Sequence, residues 1–442
     1  MTHPQATVSQ ELDAIGAWLW PACGELPADV ADRAKRLWLD TAACACSGFQ
    51  APELQAWLRL QQEGDAGAVG LPGSAVRLSS SAATMAFAQA ACWDEACEGI
   101  AIAHGRPGVV VVAALWPEVA RGTLDWQSLW QATAAGYEIG ARLGALLRIK
   151  PGMHVDAFWS AFAAAAAVVN ARGGDWACAR RAIEACACQL PFSLYRPVRE
   201  GANVRNTYLG HGAWLGVQAA HAALAEYATP QGAVDDVLAL ALQGAPAGHL
   251  PPAGPWLLLQ SYWKPFAAVR HVHYGAQAAL QLRNVLPAGE LPDLLELTVY
   301  PEAVQYCGNR APRTAIAAQF SLAFGLAAAW VHGDLSPAEF REPKFHDARV
   351  RALEERIVVL HDAARFPDGR RGAHLRVRHG ERSWDVEQGA VAGDPGCDPD
   401  ATAVLAKFDH YTQRDPAMAR WSGALCESRG DACAALPQGV LT

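Results

Sequence analysis

A change of hydrophobic period near Pro287 constrains this chain more than any other feature. From about Val8 to Leu282, apolar positions recur every three and four residues in a background of Ala, Leu, Gln, Trp and Arg, the spacing of a buried helical face. The clearest helices are expected over 11–19, 29–47, 80–93, 126–147, 157–171, 176–188 and 212–227, with Gly or Pro in most gaps. Beyond Pro287, LELTVYP, ERIVVLHD, AHLRVRHG and SWDVEQG alternate or are β-branched, and turn residues such as Pro367, Asp368 and Gly369 separate some of them, which reads as strands. A helix is expected among them over 314–331, and the tail over 400–435 turns helical again. At 442 residues the chain exceeds the usual size of one core. The expected fold class is mostly α: a large all-α domain over 1–265 and 400–442, with a smaller α/β domain over 266–399.

Charge and cysteine usage then remove several function classes. A net charge of -8 argues against a grip on nucleic acid or an anionic membrane, since both need clustered Lys and Arg, but leaves room for a small anion in a locally cationic pocket. The most apolar stretch, 158–169, is about twelve residues, short of the roughly 20 that span a bilayer. The first twenty residues lack the basic start, apolar run and small-residue cleavage site of a secretory signal, so a cytoplasmic location is expected. Twelve cysteines fall as Cys44/Cys46, Cys92/Cys97, Cys186/Cys188 and scattered singles without a CxxC pair, which reads as small buried hydrophobes rather than metal or cluster ligands. No Walker loop and no GxGxxG after a strand is present, so nucleotide cofactors lack support.

Four polar segments interrupt the apolar background. In CWDEACEGIAIAHGRPG a helix is expected to run through Asp94, Glu95 and Glu98, placing Asp94 and Glu98 on one face, where two carboxylates raise one pKa and keep an acid protonated; a solvated helix end is the bland alternative. In RIKPGMHVDAFW, His154 is expected at a helix start, whose N-terminus lowers an imidazole pKa and suits a general base; a capping or buried histidine is the commoner case. In REGANVRNTYLGHGAWLG, Arg205, Asn206 and Thr207 next to a helix starting near His211 suit a carboxylate, against a plain surface arginine. SYWKPFAAVRHVHYG brings Lys264, Arg270, His271 and His273; Lys-Pro also suits a simple helix-start turn, and the HxH pair lacks a third ligand.

With these segments in order, the chain resembles the MmgE/PrpD family, which includes 2-methylcitrate dehydratase, cis-aconitate decarboxylase and iminodisuccinate epimerase. The resemblance also rests on RAKRLWLDTAACACSG, WQATAAGYEIGARLG, LGHGAWLGVQAAHAALA and AAQFSLAFGLAAAWVHGD, and so covers nearly the whole chain. It implies a helical domain with an α/β lid, a cleft between them, a homodimer, and no metal or organic cofactor. Position by position, Asp94, His104, His154 and Lys264 match cleft residues. Arg205 falls where many members have Lys, Glu98 replaces a family Thr, and Phe324 stands where some members have Tyr; Arg270 and His273 join the expected substrate-binding set. The expected chemistry is metal-independent proton transfer next to a carboxylate of a small polycarboxylate. His154 or His104 takes the proton, Asp94 orients an imidazole, and Arg205 and Lys264 neutralise the growing enolate charge. A 2-methylcitrate-type dehydration is favoured, with epimerisation or decarboxylation open and a catalytically silent polycarboxylate binder as the reading of another class.

Overall fold

The computed structural model describes residues 7–241, 248–367 and 370–428. The first part of the chain forms α1 (Val8–Gly24), α2 (Ala28–Gly48), α3 (Pro52–Asp65), α4 (Ser80–Trp93), α5 (Pro107–Arg121) and α6 (Trp126–Leu146). It continues through α7 (Ser160–Ala171), α8 (Trp176–Ala187), α9 (Arg196–Glu200), α10 (Thr207–Leu224) and α11 (Ala233–Ala241). All seven expected helices form; α1 starts earlier than the periodicity suggested because the Thr7 side chain caps it, and α7 starts later, at Ser160. A hairpin escaped the sequence reading: β1 (Ala66–Leu71) pairs antiparallel with β2 (Ser74–Leu78), built from small residues with little alternation.

The core of this part is α7, packed between α6 and α10 and buried all round by its run of five alanines. Small side chains let the axes approach closely. A Cβ added at Gly216 of α10 lands 2.4 Å from the Ala161 carbonyl, and one at Gly136 of α6 lands 2.6 Å from the Ala163 carbonyl. Those two glycines are therefore required by backbone proximity, in a core packed to crystal-like density.

The α/β part holds a sheet in the order β6 (Ile357–His361), β5 (Leu294–Val299), β7 (Ala373–His379), β8 (Arg382–Gln388). All four expected strands are present. β5 and β6 run parallel, so the chain crosses over between them through α13 (Pro301–Cys307), α14 (Ala315–Gln319), α15 (Leu322–His332) and α16 (Ala348–Glu355). Leu295, Leu297 and Val299 alternate inward, toward the layer made by α12 (Arg270–Leu282) and α15. The single helix expected over 314–331 is two helices. Ser321 interrupts it: its hydroxyl caps α15 by accepting from Phe324 N at 3.2 Å and donates to Asn309 O at 2.7 Å, a local alternative to helical bonding.

The tail returns to the first part, where α17 (Ala401–Tyr411) and α18 (Pro416–Cys426) pack on α2. The expected turn residues Asp368 and Gly369 and the end of the tail over 429–435 lie outside the described residues. No helix among the described residues is long and apolar enough to cross a membrane.

Candidate active site

The acidic segment departs from its expected geometry. α4 stops at Trp93, Asp94 is its C-cap, and Glu95 takes a left-handed φ of 53°, so Asp94 and Glu98 share no helix face. The loop over 94–98 sends its three carboxylates to different partners. Asp94 accepts from Ser47 Oγ at 2.7 Å and from Arg341 at 2.8 and 3.0 Å, and so pairs with a guanidinium from the α/β part rather than orienting an imidazole. Glu98 accepts from Gly108 N at 2.8 Å and meets Tyr137 Oη at 3.2 Å; burial pushes its carboxyl up to about 8. It is thus an acid held protonated near neutrality by desolvation, not by Asp94.

Glu95, absent from the expected site set, is the focus of the cations. A two-residue ladder between β3 (Gly99–Ile100) and β4 (Ser261–Tyr262) sets the 94–98 loop against Lys264. The Lys264 ammonium donates to Glu95 O at 2.8 Å and to Glu95 Oε2 at 3.1 Å. Arg106 donates to Glu95 Oε1 at 2.8 Å and pairs with Asp156, while Arg205 pairs with Glu95 and donates to Asn206 Oδ1 at 3.0 Å. All five charged side chains are buried. Burial lowers the Lys264 ammonium to about 8, with the Arg106 and Arg205 charges acting in the same direction. The Nε of Arg205 and the Nδ2 of Asn206, both buried, have no hydrogen-bond partner among the described residues.

His154 is buried beside this cluster, six residues before α7 begins; Ala157 at φ 68° turns the chain between them, so the expected helix start is not where the imidazole sits. Its pKa is lowered by burial and by Arg106, against the pull of Asp156, rather than by a helix terminus. The Asp156 backbone N–H donates to His154 Nδ1 at 3.1 Å, so the neutral ring carries its proton on Nε2. His104 takes a left-handed φ of 53° at the end of a one-turn 3-10 segment, half-exposed, with Nδ1 3.7 Å from Glu302 Oε1. Burial and Arg148 lower its pKa.

The two parts of the fold meet across this group. Ring contacts run from His154 to Tyr195 at 5.8 Å, from Tyr195 to Tyr306 at 5.4 Å and from Tyr306 to His271 at 6.0 Å. His271 Nδ1 is hydrogen-bonded to Tyr300 Oη, and burial, then Arg371, His104 and Lys264, holds its pKa well below the usual imidazole value. The sequence pointed at His273 instead. That ring faces the other way, with Nε2 3.0 Å from Ala268 O and Nδ1 3.4 Å from Arg270, because residues two apart on a helix do not share a face. Arg270 is occupied by Asp394, the Trp263 carbonyl and the Tyr262 and Tyr274 rings, and fastens the 391–394 turn to α12. Phe324 is fully buried between Phe340 and Phe345 under Arg351, in the packing of the α/β part.

The sequence-wide match agrees with this architecture: the MmgE/PrpD N-terminal domain matches residues 22–240 and the MmgE/PrpD C-terminal domain matches residues 266–418. The chain belongs to the MmgE/PrpD family. That family is generally enzymatic, with dehydratase, decarboxylase and epimerase members. No curated protein matches the chain. In this MmgE/PrpD protein, His154, Arg205 and Lys264 gather at the Glu95 cluster, while His104 stands at Glu302, near enough to His271 to lower its pKa. Asp94 and Glu98 flank Glu95 with separate partners, and Arg270, His273 and Phe324 contact Asp394, Ala268 O and the Phe340 and Phe345 rings respectively. A small cavity of ≈ 20 Å³ lined by Arg33, Asp40, Glu98, Tyr262, Trp263 and other residues has no imidazole in its lining. Among the described residues, no three His, Cys, Asp or Glu side chains form a set that holds a metal ion. Glu95, Arg106, Asp156 and His271 complete the group. Their signal was their place inside the segments already singled out, DEACEG, HGR, MHVD and RHVH.

Proposed function

We propose that this protein is a lyase or isomerase that moves a proton at the carbon next to a carboxylate of a small polycarboxylate, with dehydration of a 2-methylcitrate-like acid as the favoured reaction. The observation that carries the reading is the buried charge count around Glu95: Arg106, Arg205 and Lys264 are three cations against Glu95 and Asp156, two carboxylates. One uncompensated buried charge is costly, and one incoming carboxylate balances it. The free Nε of Arg205 and Nδ2 of Asn206 are donors suited to its oxygens.

The imidazoles divide the proton work. His104, neutral near pH 7 and half-exposed, takes the proton from the carbon next to the bound carboxylate. The C–H electron pair enters the enolate, whose charge Lys264 and Arg205 stabilise. His154 presents Nε2–H as a hydrogen-bond donor to the β hydroxyl; as the β C–O bond breaks the hydroxyl takes the proton that His104 carries and leaves as water, and the enolate pair closes the new double bond. Epimerisation would return the proton to the opposite face. A carboxylate free to pair with a substrate amino group would favour epimerisation of an amino acid, but Glu98 is occupied by Gly108 and Tyr137, which favours dehydration.

Proton NMR of the enzyme in heavy water with citrate-like and amino-dicarboxylate compounds tests this. Deuterium incorporation or water loss on a hydroxy acid is expected, and the product separates dehydration, epimerisation and decarboxylation. Binding without exchange on every compound would sink the catalytic reading in favour of a silent binder. Dialysis against a chelator is expected to leave turnover unchanged; loss restored only by added metal contradicts the side-chain mechanism.

A further inference from the structure

Lysine is scarce in this chain: of 36 basic residues, only those at 35, 150, 264, 344 and 407 are lysines. Two of them, Lys264 and Lys407, are buried, and they are linked. The Lys407 ammonium, on the tail helix α17, donates to the Lys264 carbonyl at 2.9 Å, to the Ala96 carbonyl at 2.7 Å and to the Asp40 carboxylate. An ammonium has three donors and no acceptor, so all three are used, and the Trp263 and Tyr411 rings lie 5.0 and 5.1 Å from it. An arginine fork could not meet three such separate acceptors from one point.

The acceptors explain why a point donor stands there. Ala96 follows Glu95, and Lys264 is the residue whose ammonium meets Glu95; the two carbonyls therefore belong to the two backbones that must be held at one spacing for that contact to form. The 94–98 loop lies between the end of α4 and the start of β3, so α4 and the β3–β4 ladder hold only its two ends. A buried ion pair is weak as a stabilising device, since an apolar pair of like volume does as well. Lys407 does not reach His104 or His154.

We propose that Lys407 is a positioning residue: through the Ala96 and Lys264 carbonyls it sets the Glu95 to Lys264 contact, and so the cation cluster that receives a substrate carboxylate. Its kinetic consequence rests on the function proposed above, while its structural consequence does not. Full-length protein labelled with [13Cε]lysine gives five resonances, with Lys264 assigned by Lys264→Met, and its titration is read in the wild type, in Lys407→Met and in Lys407→Met/Asp40→Leu. The double variant removes the opposite charges together and replaces a buried ion pair by apolar groups, so melting temperature is expected to recover there.

The expected result is that the Lys264 midpoint, near 8 in the wild type, moves by more than about half a pH unit in both variants. With any hydroxy acid that the wild type exchanges in heavy water, turnover falls about tenfold to a hundredfold in both, with calorimetric affinity changed less than about threefold. An unmoved Lys264 midpoint in the double variant overturns the proposal, as does turnover that recovers there along with the melting temperature; either means Lys407 merely neutralises Asp40. If no compound is turned over, the function proposal fails and the midpoint alone decides this one.

Discussion

Individual side chains here are governed by burial before charge pairing. Glu98 shows this with a stability consequence. Its carboxyl is about 8 in the folded protein against an ordinary 4.5, so the folded state holds a proton that the unfolded chain releases. Stability from this group is complete below about 4.5 and declines as pH rises toward 8. Glu98→Gln, which keeps an acceptor for Gly108 N and a donor for Tyr137, is expected to flatten the fall of melting temperature between pH 5 and 8 and to leave a protein more stable than wild type at pH 8; equal slopes in the two proteins would contradict the assignment. At the same scale, His104→Ala and His154→Ala are each expected to lower turnover by about two or more orders of magnitude. His154→Gln, which retains a side-chain N–H, should recover more activity than the alanine variant if that ring acts as a donor.

At the scale of elements, two packing solutions define where the site can sit. Small residues let α6, α7 and α10 approach until the backbone of one would meet a Cβ on the next. Gly216→Ala puts a methyl group 2.4 Å from the Ala161 carbonyl and is expected to cost about 1–3 kcal/mol, measured as a lower urea midpoint with unchanged slope. The break between α14 and α15 is the second. Ser321 ends one helix and caps the next, and Gln319 at the break donates to Trp93 O at 3.2 Å, joining the α/β part to the end of α4. Ser321→Ala is expected to cost about 1 kcal/mol by loss of that cap, again read by urea unfolding.

The whole molecule brings together residues more than two hundred positions apart. Arg341, on the crossover between β5 and β6, pairs with Asp94 at the end of α4. If Asp94 acts only in this tie, Arg341→Met and Asp94→Asn should have similar effects on turnover, and the double variant no greater effect than either, because one shared contact is removed. A far larger loss in Asp94→Asn alone would place Asp94 in the chemistry. Hydrogen exchange of the 94–98 amides is expected to rise in both single variants, since the loop loses an anchor.

Helix and strand content, their order, and the switch from period 3.6 to period 2 were legible in the sequence because they follow from local spacing of apolar residues. So were the four polar segments, since a charge in an Ala-rich background stands out without any structure. The precise role of each charge was not legible. A left-handed φ at Glu95 redirected a carboxylate that helical spacing assigned to another face, and Ala157 displaced His154 from the helix start it was expected to occupy. His271 and His273 look alike as HxH, and only the packing of α12 turns one toward Tyr300 and the other toward Ala268. Local spacing decides which residues form an element; which of their charges meet depends on long-range contacts such as Lys407 to Ala96, 311 positions apart, and those exist only once the elements have packed.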